Sequence, residues 1–471
     1  MNQVANGNDN KPTYSGRRMA SGGVWVLLSR LVVAATQVIT LGLLARLLSP
    51  GDMGVYFIIA NFVIIASTFV QMGIPQVIVK RCAEAFETGG RQEVKAMMQR
   101  CLLLATGVAF SCLLIFNFGL GQWLATSVFH SEKMLGVIPF IGLWLVAMAL
   151  QRSVGEAFRG IHNMRMASIF AGAFSGIVMA LAFGAIAFWL GTCTLEQAVW
   201  ISFGAMALSL LVAFVSLGRS VPIFRPPFSL PSRSLATLAL PIFIASLGNI
   251  VLTRADIWLL GMYVADDQVA LYGAAARVIG LLGTPMLIAV AITAPVIAQL
   301  NARGDREQLQ RIVQLVPTFL AMPTLVVIGG LVLWGDSLLS LLYGDVFYAG
   351  ASNILTILAI GQAGSLIAGV SIQVLLMTNQ QQAVLRITLV CTLAAIVAAL
   401  LVVDQHGING IAVVFAVAIA VQALAAMLVC RMSLGLNTWV WPPLLRRVGA
   451  IAALLRNRPA RQRRQGSRHI P

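Results

Sequence analysis

Apolar stretches long enough to cross a lipid bilayer constrain this chain more than any other feature. A helix needs about 20 mainly apolar residues to cross roughly 30 Å of hydrocarbon. Cutting the sequence at its polar clusters leaves twelve segments of that length. Their approximate limits are 22–47, 53–79, 101–122, 134–151, 168–190, 198–217, 236–263, 269–298, 313–335, 351–376, 383–403 and 410–431. Because only 10% of residues are charged, a soluble globular protein is excluded, and the sequence predicts an all-α integral membrane protein with twelve transmembrane helices.

The positions of the basic residues predict how these helices are oriented. Of the 32 Lys and Arg residues, 27 fall on one side of the membrane, four fall within spans, and Lys133 alone falls on the other side. Cytoplasmic segments of membrane proteins carry the excess of Lys and Arg, so both termini are predicted to be cytoplasmic. The first apolar run is about twice as long as a cleavable signal core, and we expect it to remain as a signal anchor.

A repeat divides the predicted spans into two halves. Residues 47–56 resemble 263–272 at an offset of 216, and residues 121–129 resemble 335–343 at an offset of 214. Because each half holds six spans, the halves are predicted to be parallel, an arrangement typical of transporters that work by alternating access. The predicted organisation is a cytoplasmic tail (1–21), a first six-helix bundle (22–217), a cytoplasmic linker (218–234), a second six-helix bundle (235–431) and a basic cytoplasmic tail (432–471).

Three arginines lie deep within predicted spans, where a charged side chain costs on the order of 2.5 to 3.5 kcal/mol to insert. They are Arg30 in the first span, Arg254 in the seventh and Arg277 in the eighth. Guanidinium groups match phosphate oxygens bidentately, so these residues predict a cationic cavity that binds an anionic group such as a pyrophosphate. The alternative is structural: Arg254 or Arg277 pairs with Asp256 as a tie between helices, and Arg30 reaches backbone carbonyls or lipid phosphate.

Other polar residues within spans allow further roles. Asp256 is the only carboxylate deep in a predicted span, which makes it the candidate for ion or proton coupling. Arg46 lies beside an outer turn, where an interfacial anchor is expected. The amide residues within spans either line a sugar-passing route or join helices by hydrogen bonds. These amides are Gln37, Asn61, Gln71, Asn249, Gln362, Gln373 and Gln422.

No pattern in the sequence predicts an enzyme, a cofactor or a metal centre. The four histidines and six cysteines lack metal-ligand spacing, and no phosphate-binding GxxxxGK[ST] loop is present. The longest predicted outer loop spans about fifteen residues (336–350), too few for a catalytic domain. An ion gradient or the membrane potential is therefore the expected driving force. The basic C-terminal run is expected to lie on anionic lipid, with nucleic acid a remote alternative.

Four motifs show a family resemblance: residues 21–25 (SGGVW), 45–56 (ARLLSPGDMGVY), 341–350 (LLYGDVFYAG) and 358–362 (LAIGQ). With them, residues 20–435 resemble the Wzx-type polysaccharide flippases of the MOP superfamily. The resemblance implies a multi-pass bacterial inner-membrane protein that moves undecaprenyl-pyrophosphate-linked oligosaccharide to the periplasmic leaflet for O-antigen, capsule or exopolysaccharide synthesis. It also implies membrane lipids, a periplasm-facing polymerase and a chain-length regulator as partners, and cationic residues in a central cavity. Arg30, Arg254 and Arg277 match that cavity by type and depth only.

Three other functions compete with this interpretation. A drug or cation antiporter of the MATE type would share the two six-span halves, but its cavity would favour acidic residues. A membrane glycan polymerase or ligase would need a larger catalytic loop. A scaffold that transports nothing would have little reason to carry charges within its spans.

Overall fold

The computed structural model describes residues 16–88, 90–161, 163–221, 243, 247, 250–251, 253–344, 350–378 and 380–440, and all regular structure in these ranges is helical. Most residues of three predicted segments are not among these described residues. Residues 1–15 of the predicted N-terminal tail, 222–234 of the predicted linker and 441–471 of the predicted basic tail lie outside the described residues.

The first half of the chain begins with a long helix, and its last helix ends at Ser220, three residues into the predicted linker. Three π-helical turns, Phe116–Leu120, Leu124–Val128 and Ile169–Ala173, interrupt its helices. The helices are α1 Gly16–Leu47, α2 Pro50–Gln71, α3 Ile74–Thr88, α4 Gly90–Ile115, α5 Gly121–Trp123, α6 Glu132–Leu135, α7 Ile138–Gly160, α8 Met164–Ser168, α9 Phe174–Trp189 and α10 Leu195–Ser220.

The second half is described continuously from residue 253 to residue 344. Its first helix, α11, is described over 253–263. The remaining helices are α12 Asp266–Leu282, α13 Thr284–Arg303, α14 Arg306–Tyr343, α15 Ser352–Ile367, α16 Ser371–Met377 and α17 Gln381–Leu434.

Among the described residues, nine helices are long and apolar enough to cross a membrane, or ten if the bent pair α15 and α16 forms one span. The 54-residue helix α17 would extend about 80 Å if straight, far more than one bilayer. It breaks at Gly407, where φ is 52°, between the predicted eleventh and twelfth spans. The all-helical membrane architecture is thereby confirmed, and the twelve-span layout with its orientation stays a prediction.

Several predicted span limits are wrong because charged residues continue within helices. The helix predicted to end at residue 151 runs to Gly160 in α7, and α14 runs to Tyr343, so Asp336 is helical and not in a loop. The second predicted span is too long, because α2 ends at Gln71. A turn with positive φ at Met72 and Gly73 follows it.

The offset seen in the sequence recurs in the helix boundaries. Helix α2 starts at Pro50 and α12 at Asp266, 216 residues later. The same offset separates the starts of α4 and α14, and an offset of 214 separates the starts of α7 and α15. Helix starts in the two halves therefore follow the spacing of the weak sequence matches.

The two bundles meet tightly at one end of the molecule, called the outer end here, which carries the turns before α2 and α12. A Cβ atom on Gly54 would overlap the carbonyl oxygen of Asp266, and one on Gly273 would overlap the ring of Phe57. A Cβ on Gly261 would lie 2.9 Å from Cδ1 of Ile58. Because glycine has no side chain, these three positions allow helices of the two bundles to approach closely.

Aromatic rings extend this contact towards the opposite end, called the inner end, where α7 ends and α8 begins. Trp258 stacks on Phe62 with ring centroids 5.7 Å apart and meets Phe129 edge-on at 6.1 Å. Phe69 and Phe243, farther from the outer turn, are also 5.7 Å apart. Helix α2 is thus the main element of the first bundle that contacts the second.

Candidate functional site

Asp256 forms the centre of a polar cluster between α11 and α12. The phenol Oη of Tyr272 donates a hydrogen bond to Asp256 Oδ2 at 2.9 Å. The backbone N–H of Ile257 donates to Asp256 Oδ1, also at 2.9 Å. Both carboxylate oxygens therefore have a donor from the second bundle, which satisfies a group that is costly to bury alone.

Two arginines lie close enough to this carboxylate to interact with it electrostatically. Arg277 interacts with both Arg254 and Asp256. Its guanidinium carbon lies 5.8 Å from the centre of the Phe57 ring, and its Nε is buried without a hydrogen-bond partner in the described structure. Between these described residues, no arginine nitrogen comes within 4.0 Å of an Asp256 oxygen. The structural alternative of a direct arginine–Asp256 ion pair is therefore not observed.

Helix geometry places this cluster away from the ends of α11 and α12 at the outer turn. At a rise of 1.5 Å per residue, Asp256 lies about 10 Å from the outer end of α11. Arg277 lies about 16 Å from the start of α12 at Asp266. Arg254, Asp256 and Arg277 thus all lie inside helices of predicted spans, where charged groups are rare and usually functional.

Two further tyrosines, on α2 and α14, lie near the cluster. Oη of Tyr56 lies 2.9 Å from the Ser202 hydroxyl, and Oη of Tyr343 donates to the carbonyl oxygen of Ala274 at 3.0 Å. Both tyrosines interact electrostatically with Arg277. Tyr56 precedes Tyr272 by 216 residues, so the two occupy equivalent positions in the two halves.

A crevice beside Arg277 opens between α1, α12 and α14. Val38 and Leu41 line it from α1, and Tyr343 lines it from α14. Its volume is about 10 Å³, which accommodates about one water molecule. A diphosphate therefore does not fit beside Arg277 until these helices separate.

Arg30 does not join this cluster. Its side chain is exposed, and the residue lies eight positions before Val38, about 12 Å along α1. It interacts electrostatically with Arg152, Glu156 and Arg159 at the inner end of α7. The structure therefore brings Arg254, Asp256 and Arg277 together and places Arg30 with a second group of charges.

One face of α1 connects the two groups. Arg30, Gln37 and Leu41 are spaced at i, i+7 and i+11, which puts them on the same side of a helix. Leu41 lines the crevice beside Arg277, and Gln37 is exposed between the two ends. This face thus leads from the inner end to the Arg277 crevice.

The predicted amide residues divide between two roles. Gln422 donates to the Thr388 hydroxyl at 2.9 Å, and Asn61 donates to the Phe57 carbonyl at 2.9 Å. These two support protein structure, whereas exposed Gln37 remains available to line a route. Arg46 donates a hydrogen bond to the Leu341 carbonyl of the other bundle at 3.1 Å. It therefore joins the two bundles, besides the role at the membrane–water interface that the sequence predicts.

Sequence reasoning missed two features of this region. The first is the set Arg152, Glu156 and Arg159, which follows the predicted span 134–151, although its i, i+4, i+7 spacing indicates one helix face. The second is the hydrogen bond from Tyr272 to Asp256. The matching tyrosines in the repeat signalled an equivalent position, but their partners differ and no sequence pattern revealed them.

Two family profiles and two named relatives match this chain. The profile of the family described as "Polysaccharide biosynthesis protein" matches residues 19–301, and that of the MatE family matches residues 241–401. A Shigella flexneri protein named "Putative O-antigen transporter" is 27% identical over 72% of this chain and 80% of its own length. A Haloferax volcanii protein named "Probable low-salt glycan biosynthesis flippase" is 21% identical over 86% of this chain and 82% of its own length.

The fold agrees with these relatives. A solved inward-facing multidrug resistance transporter of the MATE family and MOP superfamily superposes with a TM-score of 0.73 at 14% identity, over 88% of this chain and 98% of its own. The resemblance to Wzx-type flippases of the MOP superfamily is confirmed. Because the matched profile covers more than half of the sequence, this chain belongs to the polysaccharide biosynthesis protein family.

Proposed function

We propose that this chain is a flippase for oligosaccharide linked to undecaprenyl pyrophosphate, serving O-antigen, capsule or exopolysaccharide synthesis in a bacterial inner membrane. The observation that carries the proposal is the position of Arg254 and Arg277 in one half-buried cluster where Arg277 lacks a hydrogen-bonding partner for its Nε. Guanidinium groups bind phosphate oxygens strongly and stay charged when partly desolvated. The names of the O-antigen and glycan relatives support a lipid-linked saccharide as substrate.

The proposed architecture has twelve spans in two parallel six-helix repeats with both termini in the cytoplasm. The common offset of helix starts and the break at Gly407 support the repeats. The basic excess on one side supports the orientation. In this arrangement, 22–217 and 235–431 form the bundles, with 218–234 as the linker and 1–21 and 432–471 as cytoplasmic tails.

The proposed mechanism is alternating access between these bundles. Close packing of glycines and aromatic rings at the outer end supports this mechanism, because a state open to the cytoplasm requires a closed outer end. The diphosphate would enter from the cytoplasmic leaflet along the α1 face that bears Arg30 and Gln37. It would reach Arg254 and Arg277 as α1 separates from α12, and opening of the outer end would release it.

Asp256 is the proposed coupling residue. A proton or cation that binds Asp256 would neutralise the carboxylate and weaken its hydrogen bond from Tyr272. Arg254 and Arg277 would then have less negative charge nearby and would attract phosphate more strongly. No bound cofactor is needed, because an ion gradient or the membrane potential can drive the change. A periplasm-facing polymerase and a chain-length regulator would take up the released product.

Single substitutions of the three arginines test the proposal. In a strain that lacks the gene, Arg30→Ala, Arg254→Ala and Arg277→Ala should insert normally and sharply reduce surface polysaccharide, whereas Lys at each position should retain part of it. Lipid-linked oligosaccharide should accumulate in the inner membrane of the Ala strains. Wild-type export from all three Ala variants would contradict the cationic route.

A MATE-like drug or cation antiporter is the second candidate, because the MatE profile covers residues 241–401 and Asp256 supplies one carboxylate there. Deletion of the gene separates the two functions. Accumulated lipid-linked oligosaccharide with lost surface polymer supports the flippase. Unchanged polysaccharide with altered drug or cation tolerance supports the antiporter.

A further inference from the structure

The inner end of α7 carries charged residues that are not part of the cluster at Arg277. Arg152, Glu156 and Arg159 follow one another at i, i+4 and i+7, on one face of the helix. The two arginine side chains are 61% and 43% exposed, whereas that of Glu156 is 13% exposed. A half-buried carboxylate thus lies between two guanidinium groups that reach outward.

Glu156 holds the two arginines unequally. Its Oε2 lies 2.7 Å from Nη1 of Arg159, and its Oε1 lies 3.8 Å from Nε of Arg152. Each pair is exposed on the arginine side, and such pairs contribute little to stability. The arrangement is therefore poorly explained as a stabilising tie within α7.

A third arginine belongs to a different helix. Arg30 on α1 interacts electrostatically with Arg152, Glu156 and Arg159. Among the described side chains, three arginines thus interact with the carboxylate of Glu156, which lies about 6 Å inside the end of α7 at Gly160. An excess of positive charge among these described side chains, inside a membrane helix, favours a water-filled entrance and the binding of an anion.

We propose that Arg30, Arg152 and Arg159 form a first binding site for the diphosphate of the lipid-linked substrate, with Glu156 as an internal anion that the diphosphate displaces. This inference rests on the proposed function and adds a step to it. A diphosphate carries more negative charge than one carboxylate and offers more oxygens to guanidinium groups. After it leaves this first site, the diphosphate group of the intact substrate moves about 16 Å along α1, from Arg30 to Leu41 beside the Arg277 crevice.

The test is a binding titration with geranylgeranyl diphosphate and purified full-length protein in phosphatidylcholine nanodiscs. Arg152→Gln combined with Arg159→Gln should weaken binding about tenfold, the effect of losing roughly one charge-assisted hydrogen bond. Glu156→Gln should tighten binding several-fold, because the competing carboxylate is gone. A purely structural role for the Glu156 pairs predicts no tightening.

Arg165→Gln is the matched control. Arg165 lies at the same end of the protein and has the same charge, but its guanidinium is engaged 4.7 Å above the Trp25 ring. Its removal should leave the affinity within about twofold of wild type. An Arg152→Lys and Arg159→Lys double variant should keep part of the affinity, which separates loss of charge from loss of folding.

Three outcomes would overturn the inference. One is a Gln double variant that binds like wild type while Arg254→Gln and Arg277→Gln lose binding, which leaves the proposed function intact. The second is Glu156→Gln that fails to tighten binding. The third is equal affinity of wild type and the Gln double variant when the nanodisc contains phosphatidylglycerol. That result would assign the site to lipid headgroups. A wild-type protein that binds no geranylgeranyl diphosphate would instead refute the proposed function itself.

Discussion

At the outer end the two bundles meet through glycines and aromatic rings, whereas at the inner end Arg152 and Arg159 pair with Glu156 and remain largely exposed. The outer contact depends on shape, since Gly54 and Gly273 leave no room for a side chain. The inner group depends on charge and stays accessible. The difference indicates a molecule that is sealed by packing on one side and prepared for an anion on the other.

Gly54→Leu should have the largest effect on this contrast. Its side chain would overlap the Asp266 carbonyl, and overpacking of this kind costs about 1–3 kcal/mol. A change of that size shifts an equilibrium between two states about 5- to 150-fold. Export should fall strongly, and a cysteine in place of Ile58, which this contact buries, should become reactive to a membrane-impermeant maleimide.

Gly204→Leu is the control for that substitution. Gly204 is also helical, but a Cβ there meets nothing within 4 Å. It should leave export and labelling close to wild type. Equal labelling of the two Leu variants would show that the glycine contact does not close the outer end.

Removal of one tyrosine hydroxyl should have an intermediate effect. Tyr272→Phe leaves Asp256 without its side-chain donor, and a hydrogen bond to a charged group contributes about 1.5–3 kcal/mol. Tyr56→Phe removes a neutral bond to Ser202 that contributes about 0.5–1.5 kcal/mol. The Tm of the purified Tyr272→Phe protein should therefore fall further than that of its repeat counterpart, and equal decreases would argue against a special environment at Asp256.

Lys133→Gln should have the smallest effect. Lys133 Nζ lies 2.8 Å from Asp52 Oδ1 at the outer end, but the side chains are 52% and 26% exposed. Such pairs contribute at most about 1 kcal/mol and are screened by salt. Tm should fall slightly at low ionic strength and match wild type at high salt, whereas a large, salt-independent decrease would make charge as important as packing at this end.

Much of the fold was predictable because bilayer crossing leaves a strong sequence signal. Apolar length identified the helical segments, and a 216-residue offset anticipated the start of α12 relative to α2. The limits failed where charges continue inside a helix. Arg152 and Glu156 lie within α7 because a helix can place them on one exposed face while its other faces remain apolar.

The residues of the candidate site could be named from the sequence, but their grouping could not. Depth along the spans brought Arg254, Asp256 and Arg277 to one level, and the structure joins them. Arg30 was expected in the same cavity, yet helix α1 places it with α7. Which arginine meets which helix depends on how the bundles cross, and a single sequence does not encode that in any local pattern.

Transport by the purified protein tests the central claim most directly. Wild type, Arg277→Ala and Arg277→Lys would be reconstituted in liposomes with a fluorescent oligosaccharide linked to a polyprenyl diphosphate, and movement between leaflets would be followed by quenching of the outer leaflet. We expect wild type to move the lipid, Arg277→Lys to move it more slowly and Arg277→Ala to lose nearly all movement. Equal rates for wild type and Arg277→Ala would contradict the claim that a cationic cluster carries the diphosphate across the membrane.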